Sequence, residues 1–335
     1  MFFLRKSMQE VASLGKAWLL TRVLGKKNPI FAEWNITFRC PFKCKYCGAN
    51  EVSDIKELDT EEAKEFLEEL YKIGIRWITF GGGEPLVRTD IEEILHYSKR
   101  LGFRVYLSTT GLFIERLKNI EKCVDHINLS FDGPEEVQDE VRGVGSYKRL
   151  FEVVKYCKEK KISTSFLCVI SSSNIGSIEF VIEKAKEVRI PVMFQPATLH
   201  LDSSTSPNPI APPVEEYRKV VEKVILAKKN GAWIRNSLSG LKYLANWPNQ
   251  ASIWCPAGRL SITIEPDGTI LSCHLYELEK IRSEFESDGG SRNISKLIQK
   301  LVVPVNCNRC WCAPLVELSL IWTLDYQALK NIFWL

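Results

Sequence analysis

The sequence predicts an α/β fold, a partial barrel of six β/α units followed by a small C-terminal α+β segment. Three observations carry this. Between residues 30 and 196, short β-rich runs alternate with longer runs of helical periodicity, an order that implies parallel strands joined by right-handed crossovers. The motifs rich in cysteine, glycine and short polar residues fall where strands end, which is where a barrel carries its functional loops. Beyond residue 250, a hairpin signal stands among clustered cysteines.

Ile30 to Phe38 alternates as a strand, and Thr60 to Gly74 places Ala63, Phe66, Leu67, Leu70 and Ile73 at helical spacing. Asp59 or Thr60, ahead of Glu61-Glu62, is its expected cap. Further strands are expected at 75–80, 103–109, 126–131, 162–170 and 190–195, with helices at about 90–101, 146–160 and 175–188. Pro196 to Pro213 holds five of the fifteen prolines and reads as a linker or long functional loop. Helices at about 214–229 and 237–246 precede the hairpin LSITIEPDGTILSC, whose turn is Asp267-Gly268. The tail is apolar, helical and rich in tryptophan. The expected divisions are an amphipathic helix at 1–29, the barrel at 30–196, linker and helices at 197–250, a cysteine-bearing domain at 251–312 and an apolar helix at 313–335.

The composition sets limits. With 335 residues, 45% hydrophobic and 26% charged, the chain is neither disordered nor a disulfide-stapled miniature, and it has ample length for a core. A net charge of +4 is too mild to make nucleic acid the expected partner. No stretch approaches the roughly 18 apolar residues of a membrane span. Arg5, Lys6, Lys16 and Arg22 interrupt the apolar start, so a signal peptide is not expected and the expected location is cytoplasmic. Eleven cysteines, an odd number, argue against a disulfide framework.

Eight of those cysteines fall into two groups. Cys40, Cys44 and Cys47 follow the first strand at spacings of four and three. Three soft ligands in one loop suit an iron–sulfur cluster or, with a distant fourth ligand, a structural zinc. Gly81-Gly82-Gly83-Glu84-Pro85 ends the second strand, where glycine permits close backbone approach and Glu84 offers acceptors for an ammonium group. Ser108-Thr109-Thr110-Gly111 and Ser130-Phe131-Asp132-Gly133 end the third and fourth.

Cys-x3-Cys-x-Tyr-Cys after the first strand, with Gly-Gly-Glu-Pro after the second, resembles the radical S-adenosylmethionine (SAM) superfamily over residues 30–196. The resemblance implies that Cys40, Cys44 and Cys47 hold a 4Fe–4S cluster whose open iron chelates SAM. It implies reductive cleavage to a 5′-deoxyadenosyl radical that abstracts hydrogen from substrate. It further implies that Tyr46 lies near the adenine, that Gly81, Gly82, Gly83 and Glu84 receive the SAM amino group, and that Ser108 and Ser130 contact carboxylate or ribose. Asp132 is expected to contact SAM or to cap the turn at Gly133-Pro134. Arg142, in RGVGS, is expected either to pair with the SAM carboxylate or to stand in solvent.

Cys255, Cys273, Cys307 and Cys310 resemble the twitch form of the SPASM extension, which implies one auxiliary 4Fe–4S cluster, with Cys312 as a substitute ligand; a zinc ribbon is the other reading. Cys123, Cys157 and Cys168 read as buried small hydrophobes, and His96, His126, His200 and His274 form no ligand pair.

Residues 2–27 carry six Lys/Arg against one Glu on an amphipathic pattern. Such a helix lies in a membrane interface or packs over an open barrel end. With the apolar C-terminus and no recognisable peptide-recognition domain, this makes a membrane-lipid chain the expected substrate, joined by a C–C bond as in radical SAM enzymes that couple archaeal isoprenoid lipids. The alternatives are a peptide maturase forming thioether or C–C cross-links, a dehydrogenase of a small alcohol or sugar, and a non-catalytic iron–sulfur or zinc protein. Ferredoxin or flavodoxin is the expected electron donor.

Overall fold

The chain is described here by a computed structural model over residues 8–47, 55–199, 207–249, 251–273, 293–303 and 310–334. Six parallel strands follow the expected order: β1 (Phe31–Thr37), β2 (Trp77–Gly82), β3 (Arg104–Thr109), β4 (His126–Ser130), β5 (Thr164–Ile170) and β6 (Val192–Pro196). An N-terminal helix α1 (Met8–Trp18) precedes them. The connections carry α2 (Thr60–Ile73), α3 (Ile91–Leu101), α4 (Ile114–Ile120), α5 (Glu135–Arg142), α6 (Ser146–Lys160) and α7 (Ile178–Val188). Local chemistry sets the limits of α2: Asp59 and Glu62 form a reciprocal capping box, and Gly74 closes the helix in the left-handed region. Helices α4 and α5 carry no sequence expectation. They have seven and eight residues, too few turns for periodicity to register.

The two faces of the sheet differ in chemistry because strand side chains alternate. Ala32, Trp34, Ile36, Ile78, Phe80, Val105, Leu107, Ile127, Leu129, Phe166, Cys168, Val192 and Phe194 point to one side. There they form a single core with Phe66, Leu67, Ile94, Leu95, Leu150 and Val181 of the surrounding helices. Glu33, Asn35, Thr79, Tyr106, Ser108, Asn128, Ser130 and Ser165 alternate with them and face the lumen.

The hairpin of β7 (Ser261–Ile264) and β8 (Ile270–Leu271) forms around Asp267-Gly268, with Gly268 at φ 87°. It does not stand apart from the barrel. Strand β7 pairs in parallel with β1, and β8 completes an eight-stranded sheet of order β6-β5-β4-β3-β2-β1-β7-β8. The 251–312 segment thus begins as an extension of the barrel sheet.

Both terminal segments pack part of their apolar surface on protein, while Leu19, Val23, Leu24 and Leu324 stay exposed. Ala17 and Trp18 of α1, with Thr21 in the following π-turn, pack over the end where β1, β2 and β7 begin, beside Ile30, Phe31, Trp77 and Leu260. The Trp18 indole donates to the Trp322 carbonyl (3.1 Å), and the Trp322 indole donates to the Thr21 hydroxyl (2.9 Å). This is the packed alternative for the first helix. Among the described residues, the second half also carries α8 (Val214–Lys229), α9 (Leu238–Leu244), α10 (Ile294–Lys300), α11 (Ala313–Trp322) and α12 (Tyr326–Trp334). Helix α11 buries Ala313, Val316, Glu317, Ser319 and Trp322 against α9, β6 and the Trp254 segment. Its apolar character is that of a core helix. Among the described residues, no helix is long and apolar enough to cross a membrane.

Glu317 is the polar exception in α11. Its carboxylate accepts from the Ser237 N–H (2.8 Å), at the start of α9. Burial pushes its carboxyl up to about 7, against the opposing pull of the Ser237 N–H and Lys228. The folded protein therefore holds this proton more tightly than the unfolded chain does. The associated stability is full below the ordinary carboxyl range and is lost as pH rises to about 7. We expect Glu317→Gln, which keeps the acceptor without the charge, to be the more stable protein at pH 7.5 by up to about 3 kcal/mol. The advantage should vanish near pH 4.5, as read by urea denaturation across that range.

Candidate active site

The cysteine loop follows β1 directly. Cys40, Cys44 and Cys47 are half-buried and lie within charge–charge reach of one another. Burial pushes the Cys40 thiol up to about 11, against a hydrogen bond from the Phe42 N–H; burial also raises Cys44, against the pull of Arg142. Among the described residues, no three His, Cys, Asp or Glu side chains come together as a ready-made metal site. The donor set nevertheless fits an iron–sulfur cluster. Three neighbouring thiols sit on one loop at a strand's C-terminal end, and metal binding would draw off their protons.

The Gly-rich end of β2 lies flat against the entry to that loop. Gly82 sits at φ 106°, and a Cβ on it would stand 3.1 Å from the Asn35 Cα. One on Gly83 would stand 2.7 Å from the Phe38 carbonyl oxygen and closer still to that of Arg39. The Gly83 and Glu84 N–H groups donate to the Thr37 and Arg39 carbonyls (2.8 and 3.0 Å). Glycine is required here because two backbones touch.

Glu84 does not present a carboxylate to a ligand. Fully buried, it accepts from the Thr109 hydroxyl (2.7 Å), the Thr110 N–H (2.8 Å), the Thr110 hydroxyl (2.6 Å) and the Leu86 N–H (3.2 Å). Those four bonds use the acceptor sites of a carboxylate. Glu84 instead ties the end of β2 to the end of β3.

Asp132 and Arg142 pair with each other. Arg142 is neither in a loop nor in solvent. It ends α5, is buried, and donates through Nε to Asp132 Oδ2 (2.6 Å). The same oxygen accepts from the Tyr46 hydroxyl (3.1 Å), while Oδ1 accepts from the Val169 N–H (3.0 Å). Arg142 lies 5.3 Å from the Tyr46 ring centroid. Tyr46 is thus held by Asp132 and Arg142. Ser108 and Ser130 keep their expected placement at the lumen ends of β3 and β4, and Ser108 accepts from Asn128 Nδ2 (3.4 Å).

In the second cysteine group, Cys255, Cys273, Cys310 and Cys312 are half-buried, and Cys307 lies outside the described residues. The Cys312 thiol is pushed well up by burial and by the nearby charges of Glu33, Cys310 and Cys273. Cys312 therefore neighbours two of the expected ligands. Cys123, Cys157 and Cys168 are buried as expected, and Cys123 Sγ also lies 2.9 Å from His96 Nδ1. His126 is buried among Ser163, Ser165, Asn128 and Arg235. His200 and His274 lie outside the described residues. Sequence reading missed the lumen pair Asn35–Glu265 (3.2 Å); the polar alternation Glu33, Asn35 on β1 was its signal.

With a six-stranded parallel barrel, a cysteine loop after β1 and a glycine turn after β2 in place, the class of protein follows. Residues 34–185 match the Radical SAM superfamily model. The barrel is a Radical SAM domain. Cys40, Cys44 and Cys47 stand on the loop of that domain where a 4Fe–4S cluster with SAM would be held.

Among its relatives, the chain is 33% identical over 172 residues to the Fe-coproporphyrin III synthase of Methanosarcina barkeri. That match covers 49% of this chain and 43% of that protein, so it spans less than half of the relative's length. It is 27% identical over 266 residues to the PqqA peptide cyclase of Bradyrhizobium diazoefficiens, covering 74% of this chain and 67% of that one. The fold is that of Streptococcus suis SuiB, solved with its precursor peptide SuiA, at TM-score 0.63 and 14% identity over 88% of this chain and 73% of that one.

Two substitutions test the site. Asp132→Asn leaves the buried Arg142 without its counter-charge and should cost about 3 kcal/mol in stability by chemical denaturation. Gly83→Ala forces the two backbones apart, and the reconstituted protein should bind markedly less iron per chain than wild type.

Proposed function

We propose that this enzyme modifies a peptide, forming a thioether or C–C cross-link by hydrogen abstraction from an unactivated C–H. The observation that carries this reading is the reach of the peptide-cyclase match. It runs over 74% of the chain, against 49% for the porphyrin-processing relative, and so extends beyond the radical-generating barrel. The polar lumen supports it. The membrane-lipid reading loses its basis because the inner face of α1 and the body of α11 are packed in protein.

Cys40, Cys44 and Cys47 would hold the cluster that binds SAM, and Cys255, Cys273, Cys307 and Cys310, with Cys312 beside them, would hold the auxiliary one. Bound there, cluster and SAM supply a hydrogen-abstracting radical. The chain's own residues set the position. Glycines 81–83 bring backbone oxygens to the SAM amino group, and Ser108 and Ser130 offer hydroxyls at the lumen mouth. The Glu84 clamp fixes the two strand ends that carry these groups.

Anaerobically reconstituted protein, reduced by dithionite with SAM, should form 5′-deoxyadenosine, and Cys44→Ala should abolish it. With short peptides encoded beside this gene, a peptide should lose two hydrogens in step with that product, as followed by mass spectrometry. Unchanged peptides alongside an altered lipid or porphyrin would overturn the peptide reading.

A further inference from the structure

The segment packed over the end where β1, β2 and β7 begin has an outer face as well as an inner one. Ala17 and Thr21 are buried against protein, whereas Leu19, Val23 and Leu24, in and just after the π-turn, are left outside. The turn from α11 to α12 adds Leu324 and Tyr326. These five side chains are between 48% and 71% exposed. They belong to one surface, because the Trp18 indole bonds to the Trp322 carbonyl and the Trp322 indole to the Thr21 hydroxyl, which holds the two turns side by side.

Leu324 is the most telling of the five. It closes α11 in the left-handed region, at φ 61°. Its N–H donates to the Ile321 carbonyl (3.0 Å), and the Asp325 N–H donates to the Leu320 carbonyl (2.9 Å). That is the bond pattern of a Schellman cap, whose favoured residue at this point is glycine. Leucine there strains the backbone and still leaves its side chain in solvent. The folded chain by itself supplies no reason for it. Cations border the same face: Lys16, Arg22 and Lys26 are exposed, and among the described residues none of the three has a carboxylate partner.

We propose that these two apolar turns and their basic border dock the protein on an anionic lipid bilayer. Aliphatic side chains on the outside of a helical turn enter the acyl boundary, and the long cations beside them reach the headgroups. Tyr326 is suited to headgroup depth. A second copy of the chain is a poorer occupant, since a two-fold contact would set the three cations against their own copies. A protein partner is disfavoured too, because leucine and valine are under-represented among the anchors of protein interfaces. The surface lies at the opposite end of the barrel from the cysteine loop that follows β1. Docking there leaves the candidate site facing water, so the inference stands apart from the choice of substrate.

The test is co-sedimentation of the full reconstituted protein with vesicles of phosphatidylcholine alone, or of phosphatidylcholine and phosphatidylglycerol in equal parts. Wild type should bind the anionic vesicles, more weakly as salt rises, and bind the neutral ones far less. Val23→Asp, and Leu324→Asn, which a left-handed backbone accepts, should each weaken binding about tenfold. Both should form 5′-deoxyadenosine in solution at the wild-type rate, which also reports that they fold. Wild type that binds neither kind of vesicle, vesicle binding that both variants retain, or self-association that both variants abolish in place of vesicle binding would each overturn the proposal.

Discussion

One buried carboxylate holds the candidate site in register. Asp132, at 0% exposure, joins three parts of the chain that are far apart in sequence: Tyr46 in the cysteine loop, Arg142 at the end of α5 and the Val169 N–H on β5. Its carbonyl also accepts from Asn174 Nδ2 (3.0 Å). A buried ion pair carries a large desolvation cost, which is offset only when geometry and further hydrogen bonds are good. Here each carboxylate oxygen has a donor, so the pair persists. In turn it fixes the third cysteine's neighbour and the end of α5.

Much of the fold was legible because the two periodicities are strong. The six strands and the long helices fall at or near their expected ranges, and the capping box of α2 stands in plain sight as Asp59 and Glu62. What was not legible depends on partners distant in sequence. Arg142 looked like a loop residue because Gly143 follows it, yet it ends a helix and pairs with a carboxylate ten positions earlier. The hairpin's turn was readable, but its pairing with β1 lies some 230 residues back and leaves no local trace. Periodicity marked the apolar faces at both ends without saying what covers them.

The site motifs show the same division at finer scale. The structure shows what two of the strand-end side chains bond to within the protein. Glu84 carries the acceptors expected of it, but the next strand supplies Thr109 and Thr110 to fill them. Tyr46 stands at the expected position with its hydroxyl turned to Asp132. In both cases the partner lies on another element, out of reach of local sequence reading.

The polarity of the lumen bears on substrate choice through what it penalises. Asn35 is bonded to Glu265, Asn128 to Ser165 and Ser108, and Ser165 to Arg235; Glu33 and Ser130 stand on the same face. A hydrocarbon chain entering here would strip water from these groups and return no hydrogen bond, at a cost of roughly 1–3 kcal/mol for each group left unsatisfied. Peptide amides carry a donor and an acceptor per residue and replace the lost water. The helix-facing side of the same strands is uniformly apolar. Stability is thus drawn from one face of the sheet, and the other carries the polar groups on which the peptide proposal rests.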